Sequence, residues 1–325
     1  MVEFFKQKAK GKRHFRRQEG KKAGRQAFCK IENRERIEAD EASLSKNFQP
    51  FNFFSRLTFH VSLFTFYFLL FTSCTLAFCE PINVEYNDGI YHIILDGKNL
   101  AKKIKFVSSQ NLITNREAHA TSGALLTINA GFFDPKNQKT ISYIVEDGNI
   151  VADPLFNENL LMNPVLRQNI NKITNRTEFR VVECNEKYHY EIVSHKTPVD
   201  FACSVVTSAQ GGPMILPELR LEEEFFILKN AEGKIIRESA SVLEKTARTI
   251  IGLKGNEIHL LIITNKNPMT IYEVRDLCKK LGLEKAMAFD GGSSTSLNYK
   301  ESIEVTSTKD ESGRLLKSFM VVGGK

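Results

Sequence analysis

The chain has 325 residues, 42% of them apolar and 10% aromatic, enough for a packed core, which excludes a wholly disordered protein. Its net charge of +7 is unevenly placed: residues 1–56 hold 15 Lys/Arg against 7 Asp/Glu, and residues 57–325 hold 30 against 31. The basicity belongs to an N-terminal arm and not to the body, so nucleic acid is not an expected partner.

That arm, KQKAKGKRHFRRQEGKKAGRQ at its most basic, carries Phe4, Phe5 and Phe15 without the spacing of a base-stacking platform. Residues 1–56 therefore read as a solvated, disordered segment. Residues 57–79 contain no charge in 23 positions, with Arg56 before them and Glu80 after. A run of this length spans a bilayer, and its flanks follow the positive-inside pattern. It is expected to be a signal peptide or signal-anchor helix, the chain's membrane contact, leaving residues 80–325 exported and either membrane-anchored, periplasmic or extracellular. Thr75 and Ala77 supply small residues at −3 and −1 of a signal peptidase site, and Phe71, Thr72, Ser73 and Cys74 loosely approximate a lipoprotein box. A buried core helix is the plainer alternative.

Three cysteines fall in the body: Cys184, Cys203 and Cys278. No CxxC or Cys/His metal spacing is present. In an oxidising compartment Cys184 and Cys203 can pair across a strand–loop–strand segment, while Cys278 reads as a buried helix residue.

Past residue 83 the pattern turns to short strands with turn punctuation. Residues 90–95, 125–129, 141–145, 179–182 and 258–263 are β-branched or aromatic runs of strand length. Two hairpins are marked, at Asp147-Gly148 and at Gly255-Asn256, each with a glycine where positive φ is needed. One helix is well signed: Thr270 and Glu273 form a capping box, Ile271, Val274, Leu277 and Leu281 repeat at helical spacing, and Gly282 is a natural stop. These elements predict one α+β domain over residues 80–325, a mixed, largely antiparallel sheet with a few helices.

Four stretches bear residues that can carry chemistry. In FDGGSSTSL, a strand over 286–289 delivers Asp290, after which Gly291 and Gly292 allow a sharp turn with exposed N–H groups and Ser293 and Ser294 add hydroxyls. This is an anion cradle beside a carboxylate; the plainer alternative is an Asp-Gly hairpin between 286–289 and 296–299. The lysine of a nucleotide P-loop is missing. In ALLTINAGFFDP, a strand ends on Asn129, whose amide can orient a sugar hydroxyl or phosphate oxygen, followed by Gly131, by Phe132 and Phe133 as an apolar or stacking wall, and by Asp134. In SAQGGPMIL, Gly211, Gly212 and Pro213 mean a turn or a close backbone approach. In ARTIIGL, Arg248 opens a strand; facing the cradle, its planar fork would suit a phosphate, and otherwise it is an ion-paired or solvated arginine. The histidines lie scattered, with no HExxH, and no GxSxG elbow occurs, so neither a dedicated zinc site nor a serine hydrolase is expected.

Taken in order, NAGFF at 129–133, QGGP at 210–213, Arg248-Thr249 with Gly252, a helix ending in Leu281-Gly282 and FDGGSS at 289–294 resemble the recurring motifs of the phosphodiester glycosidase domain family across roughly residues 83–325. That family includes a lysosomal enzyme that removes N-acetylglucosamine from a phosphodiester, and bacterial relatives linked to exopolysaccharide. This chain departs from it in having Gly291-Gly292 where many members show three glycines, and Phe289 where leucine is common. The resemblance implies an exported hydrolase that cleaves the glycosidic C–O bond of a sugar-1-phosphodiester in an envelope or extracellular glycan. Its catalytic residues would be Asp290, Arg248 and Asn129. Gly291, Gly292, Ser293, Ser294, Gly131, Phe132 and Asp134 would bind substrate; no cofactor is expected, with a divalent cation left open. Two other readings fit the residues: a non-catalytic protein that binds an anionic glycan, and a phosphodiesterase that cuts P–O with a divalent cation near Asp290 and Asp134.

Overall fold

The computed structural model describes residues 81–323. The expected basic arm, the signal or anchor segment and Cys74 lie outside the described residues. Among the described residues no helix is long and apolar enough to cross a membrane.

Three antiparallel sheets make up the fold. The first runs, in spatial order, Ile82–Asn87, Ile90–Asp96, Glu257–Ile263, Arg248–Lys254, Lys285–Ala288 and Met214–Leu216. The second runs Ile303–Thr306, Ser296–Tyr299, Leu126–Asn129, Leu316–Val322 and Ile104–Ile113. The third runs Asn149–Ala152, Ile144–Glu146, Cys203–Gln210, Thr177–Cys184 and Lys187–Ser194. A separate two-stranded ribbon pairs Ile227–Lys229 with Ile235–Glu238.

One apolar core takes residues from all three sheets: Ile93 and Leu260 from the first, Leu126 and Met320 from the second, Val181 and Ala209 from the third. At its centre Phe106 stands edge-on to Phe179 at 5.9 Å and to Phe289 at 5.8 Å between ring centroids. Burying one such ring stabilises the fold by roughly 2–3 kcal/mol. Phe289 thereby fixes the strand exit that carries Asp290 to the meeting point of the sheets. The central strands of the first sheet, Arg248–Lys254, Glu257–Ile263 and Lys285–Ala288, are buried on both faces, because Ile250, Leu261 and Ala288 pack on a second core with Ile271, Val274 and Cys278 of the helix Ile271–Leu281. This is why Arg248–Lys254 and Glu257–Ile263 read as near-continuous apolar runs rather than alternating ones.

The helix has the predicted ends: the Thr270 hydroxyl accepts from the Glu273 N–H, the Glu273 carboxylate accepts from the Thr270 N–H, and Gly282 stops it at φ 73°. Both expected hairpins form, with Glu146 opposite Asn149 and Lys254 opposite Glu257. Cys184 and Cys203 are directly opposed in the third sheet and disulfide-bonded, and Cys278 is free and buried. The strand expected at 141–145 begins only at Ile144. Residues 140–142 are instead tied to the loop after Asn129, where the Phe132 N–H donates to Ser142 Oγ at 2.9 Å and the Ile141 N–H to the Phe132 carbonyl. Five short α-helical pieces that the sequence did not mark also form among the described residues: Gly97–Leu100, Asn115–Ser122, Glu158–Met162, Pro164–Gln168 and Ile170–Ile173.

Candidate functional site

Each of three sequence stretches ends a strand of a different sheet, and the three ends converge. Asn129 closes a strand of the second sheet, Gln210 one of the third, and Asp290 follows Lys285–Ala288 of the first. The Asp290 N–H donates to the Ala130 carbonyl at 3.0 Å, and Asn129 Nδ2 donates to the Asp290 carbonyl at 2.6 Å. The Gly212 N–H donates to the Ala288 carbonyl at 2.8 Å. Close approach explains the tandem glycines here: a Cβ on Gly211 would lie 2.5 Å from the Ala288 carbonyl, and one on Gly212 would lie 2.2 Å from Glu224 Oε2 at a φ of 101°. FDGGSS is therefore no hairpin. Its flanking strands, Lys285–Ala288 and Ser296–Tyr299, belong to different sheets, and the segment crosses between them.

Where the stretches meet, a cavity of about 520 Å³ opens. Its lining includes Asp290, Gly291, Gly292, Ser293, Phe132 and Phe133, together with Arg176, Arg237 and Arg314, which the sequence reading did not single out. Asp290 is half-buried and is the cavity's only lining carboxylate. Burial pushes its carboxyl up to about 6; the Ser294 hydroxyl, donating to Oδ2 at 2.7 Å, and the charge of Arg314 pull in the opposite direction. Arg314 donates through Nη1 to Ser293 Oγ at 2.7 Å and to Ser294 Oγ at 3.0 Å, and lies 5.3 Å over the Phe133 ring. Guanidinium, paired hydroxyls and carboxylate thus form one chain of polar groups.

Arg176 sits on the Phe226 ring at 4.1 Å and donates through Nε to the Glu224 carbonyl at 2.9 Å. Burial brings its guanidinium down to about 10, which still leaves it charged at neutral pH. Gln210 fixes the segment before it, donating through Nε2 to the Thr174 and Arg176 carbonyls. Arg237 lies 4.3 Å over Phe225 and donates through Nη1 to the Phe225 carbonyl at 3.2 Å; burial lowers its guanidinium too. Among the described residues the cavity is thus lined by three cations and one carboxylate, a net positive lining.

Two expected catalytic residues lie beside the cavity and not in its wall. Asn129 is 1% exposed, and its amide is spent on structure: besides holding the Asp290 carbonyl, its Oδ1 accepts from Thr249 Oγ1 at 2.7 Å and from the Ser296 N–H at 3.0 Å. Arg248 does not face the cradle. Its Nη2 donates to the carbonyls of Ser241, Val242 and Glu244 and its Nε to that of Met269, which pins the 241–244 segment whose Ser241 lines the cavity. Buried carbonyls need donors, and an arginine close enough to meet four of them is drawn there. Asp134 also turns away, accepting from the Lys136 N–H and from Asn159 Nδ2, so it adds no second carboxylate. Gly131 lets Ser142 approach closely, with a Cβ there 2.6 Å from the Ser142 Cβ. The cradle N–H groups are partly used internally: Gly292 donates to the Ala247 carbonyl and Ser294 to that of Gly291.

The described histidines do not line the cavity. His92 and His259 contact each other at 2.9 Å across the first sheet, and burial lowers both. Among the described residues no group of three or more His, Cys, Asp or Glu is placed to hold a metal ion.

A family model described as phosphodiester glycosidase matches residues 122–322, which contain Asn129, all three cavity arginines and Asp290. Among solved structures, the chain resembles the zebrafish N-acetylglucosamine-1-phosphodiester alpha-N-acetylglucosaminidase catalytic domain auto-inhibited by its pro-peptide, at 14% identity and a TM-score of 0.53, covering 75% of this chain and 82% of that one. A protein of Burkholderia pseudomallei K96243, provisionally described as exported, is similar at 11% identity and a TM-score of 0.52, over 72% of this chain and 73% of its own. No curated protein sequence matches the chain significantly. The matched span covers well over half of the chain, and the chain belongs to the phosphodiester glycosidase family.

Proposed function

We propose that this protein is an exported hydrolase that cleaves the glycosidic C–O bond of a sugar-1-phosphodiester in an envelope or extracellular glycan. The observation that carries this reading is the charge of the cavity, whose lining among the described residues holds Arg176, Arg237 and Arg314 and a single carboxylate, Asp290. A phosphodiester enters with one negative charge. Breaking its bond to the anomeric carbon releases a phosphate monoester that carries close to two at neutral pH. Fixed guanidinium groups interact more strongly with the second state than with the first, which lowers the barrier. Because the leaving group is already a weak base, no second carboxylic acid is needed to protonate it.

In this reading Asp290, ionised above about pH 6, works on the sugar side. It supports the positive charge that develops at the anomeric carbon, or acts as base or nucleophile. Water adds its oxygen to the sugar, the bridging oxygen leaves with phosphorus, and one proton is released. Arg314 and Ser293 hold the departing phosphate, the fully buried Ser294 links Arg314 to Asp290, and Phe132 and Phe133 flank the sugar. Asn129 and Arg248 act as positioning residues, one through the Asp290 backbone and the other through the 241–244 segment. The Cys184–Cys203 disulfide and the uncharged run over 57–79 support export, since disulfides persist in oxidising compartments.

The test is incubation with a phosphodiester-linked N-acetylglucosamine in water enriched in heavy oxygen, with and without chelator. Label on the sugar, with an unlabelled phosphate monoester released in both arms, is the expected result. Label on phosphate that disappears with chelator would mean a metal-dependent phosphodiesterase, and binding without product would mean a glycan-binding protein.

A further inference from the structure

We propose that the apolar segment beside the arginine-lined cavity receives a long hydrocarbon chain, so that the substrate is an amphiphile in which a sugar-1-phosphate is joined to a long-chain alcohol. This rests on the reading of the cavity as a phosphodiester site. Ile141, Leu160, Leu166 and Ile173 line the cavity and belong to one apolar cluster. Sugar rings are served by Phe132 and Phe133 and the phosphate by the arginines; an aliphatic wall gains only from displacing water against another apolar surface.

The same short elements also carry exposed apolar side chains. The helix Glu158–Met162 places Leu160 at the cavity and leaves Met162 79% exposed. The helix Pro164–Gln168 places Leu166 at the cavity and leaves Val165 exposed, and the turn Pro154–Phe156 that leads in leaves Leu155 and Phe156 exposed, Phe156 at 76%. Four large apolar side chains left in water within residues 155–165 mark a binding surface. Their place on the elements that line the cavity selects the occupant: a chain attached to the phosphate held by the arginines would pass Leu160 and Leu166 and emerge over Met162 and Phe156.

Binding of butyl and decyl phosphate to the whole protein, below their micelle concentrations, tests this by calorimetry without requiring turnover. Decyl phosphate should bind roughly tenfold or more tightly than butyl phosphate, because each buried methylene adds to affinity. The double variant Phe156→Ser, Met162→Ser should lose most of that gain and keep its affinity for butyl phosphate. Equal affinities for the two phosphates, or a gain that survives the double variant, would overturn the proposal while leaving the phosphodiester reading intact. Failure of both phosphates to bind would overturn the two together. If the double variant instead turned a self-associating protein into a monomer with no chain-length effect, the surface would be a protein interface and the lipid proposal would fall.

Discussion

Replacing Asp290 by asparagine keeps the shape of the cavity floor and removes its one lining carboxylate, which gives the substitution opposite effects on activity and stability. The carboxyl titrates near 6 in the folded protein, against 3.8 as its ordinary value, because burial disfavours the charged form. A group with a raised folded value binds more protons folded than unfolded, so its contribution to stability is fully present below about pH 4 and is lost as the pH rises through about 6. The shift of roughly two units corresponds to at most about 3 kcal/mol, and to less where water in the cavity screens the charge. Asparagine has no such dependence. The difference in melting temperature between Asp290→Asn and wild type should therefore grow in favour of the variant between about pH 4 and pH 7, by several degrees at about 2–4 °C per kcal/mol for a domain of this size. Turnover of a sugar-1-phosphodiester should fall by roughly three orders of magnitude or more in the same variant. Melting temperatures that differ by a constant amount across this pH range would refute the claim that the site holds a destabilised carboxylate.

Arg314→Leu removes the guanidinium joined to Ser293 and Ser294; kcat should fall by roughly 10²–10³ with little change in melting temperature, and an unchanged kcat would exclude Arg314 from holding the leaving phosphate. Arg248→Met strips donors from four carbonyls and should lower stability by about 2–4 kcal/mol, measured by urea titration, before any effect on chemistry is read; a fully stable but inactive variant would restore Arg248 to the reacting centre. Reducing the disulfide, or Cys184→Ser, opens a loop with a sequence separation of 19 and should cost about 3 kcal/mol. It should leave KM unchanged, because Cys184 and Cys203 pair at the opposite end of their strands from Thr177 and Gln210; a raised KM would show that the third sheet transmits strain to the cavity.

Much of the architecture was legible in the sequence because it follows from local rules. The capping box at Thr270 and Glu273, the glycine stop at Gly282 and the turns at Gly148 and Gly255 are determined by a few neighbouring residues. Thr114 and Glu117 form a second capping box that starts Asn115–Ser122 and was readable by the same rule. Cys184 and Cys203 were legible as a pair that could form across a strand–loop–strand segment, and the order of the motifs pointed to the family. The strand at 141–145 was misplaced at its start because Ser142 bonds to Phe132, a contact with no signature in a strand-length apolar run.

The amino-acid sequence by itself placed Asn129 at the end of a strand, Asp290 just past one and a backbone turn at Gly211-Gly212, since apolar runs stop and glycines begin there. Only the tertiary structure decided what the ends do together. Arg176, Arg237 and Arg314 look alike in sequence to the chain's other arginines, and what distinguishes them is a shared cavity with Asp290. Arg248, the arginine nearest in sequence to a motif, is instead consumed by the carbonyls of 241, 242, 244 and 269. A side chain's partner depends on which backbone groups the packing leaves without donors, and that is fixed when three sheets close on one core and not by any stretch of the chain alone.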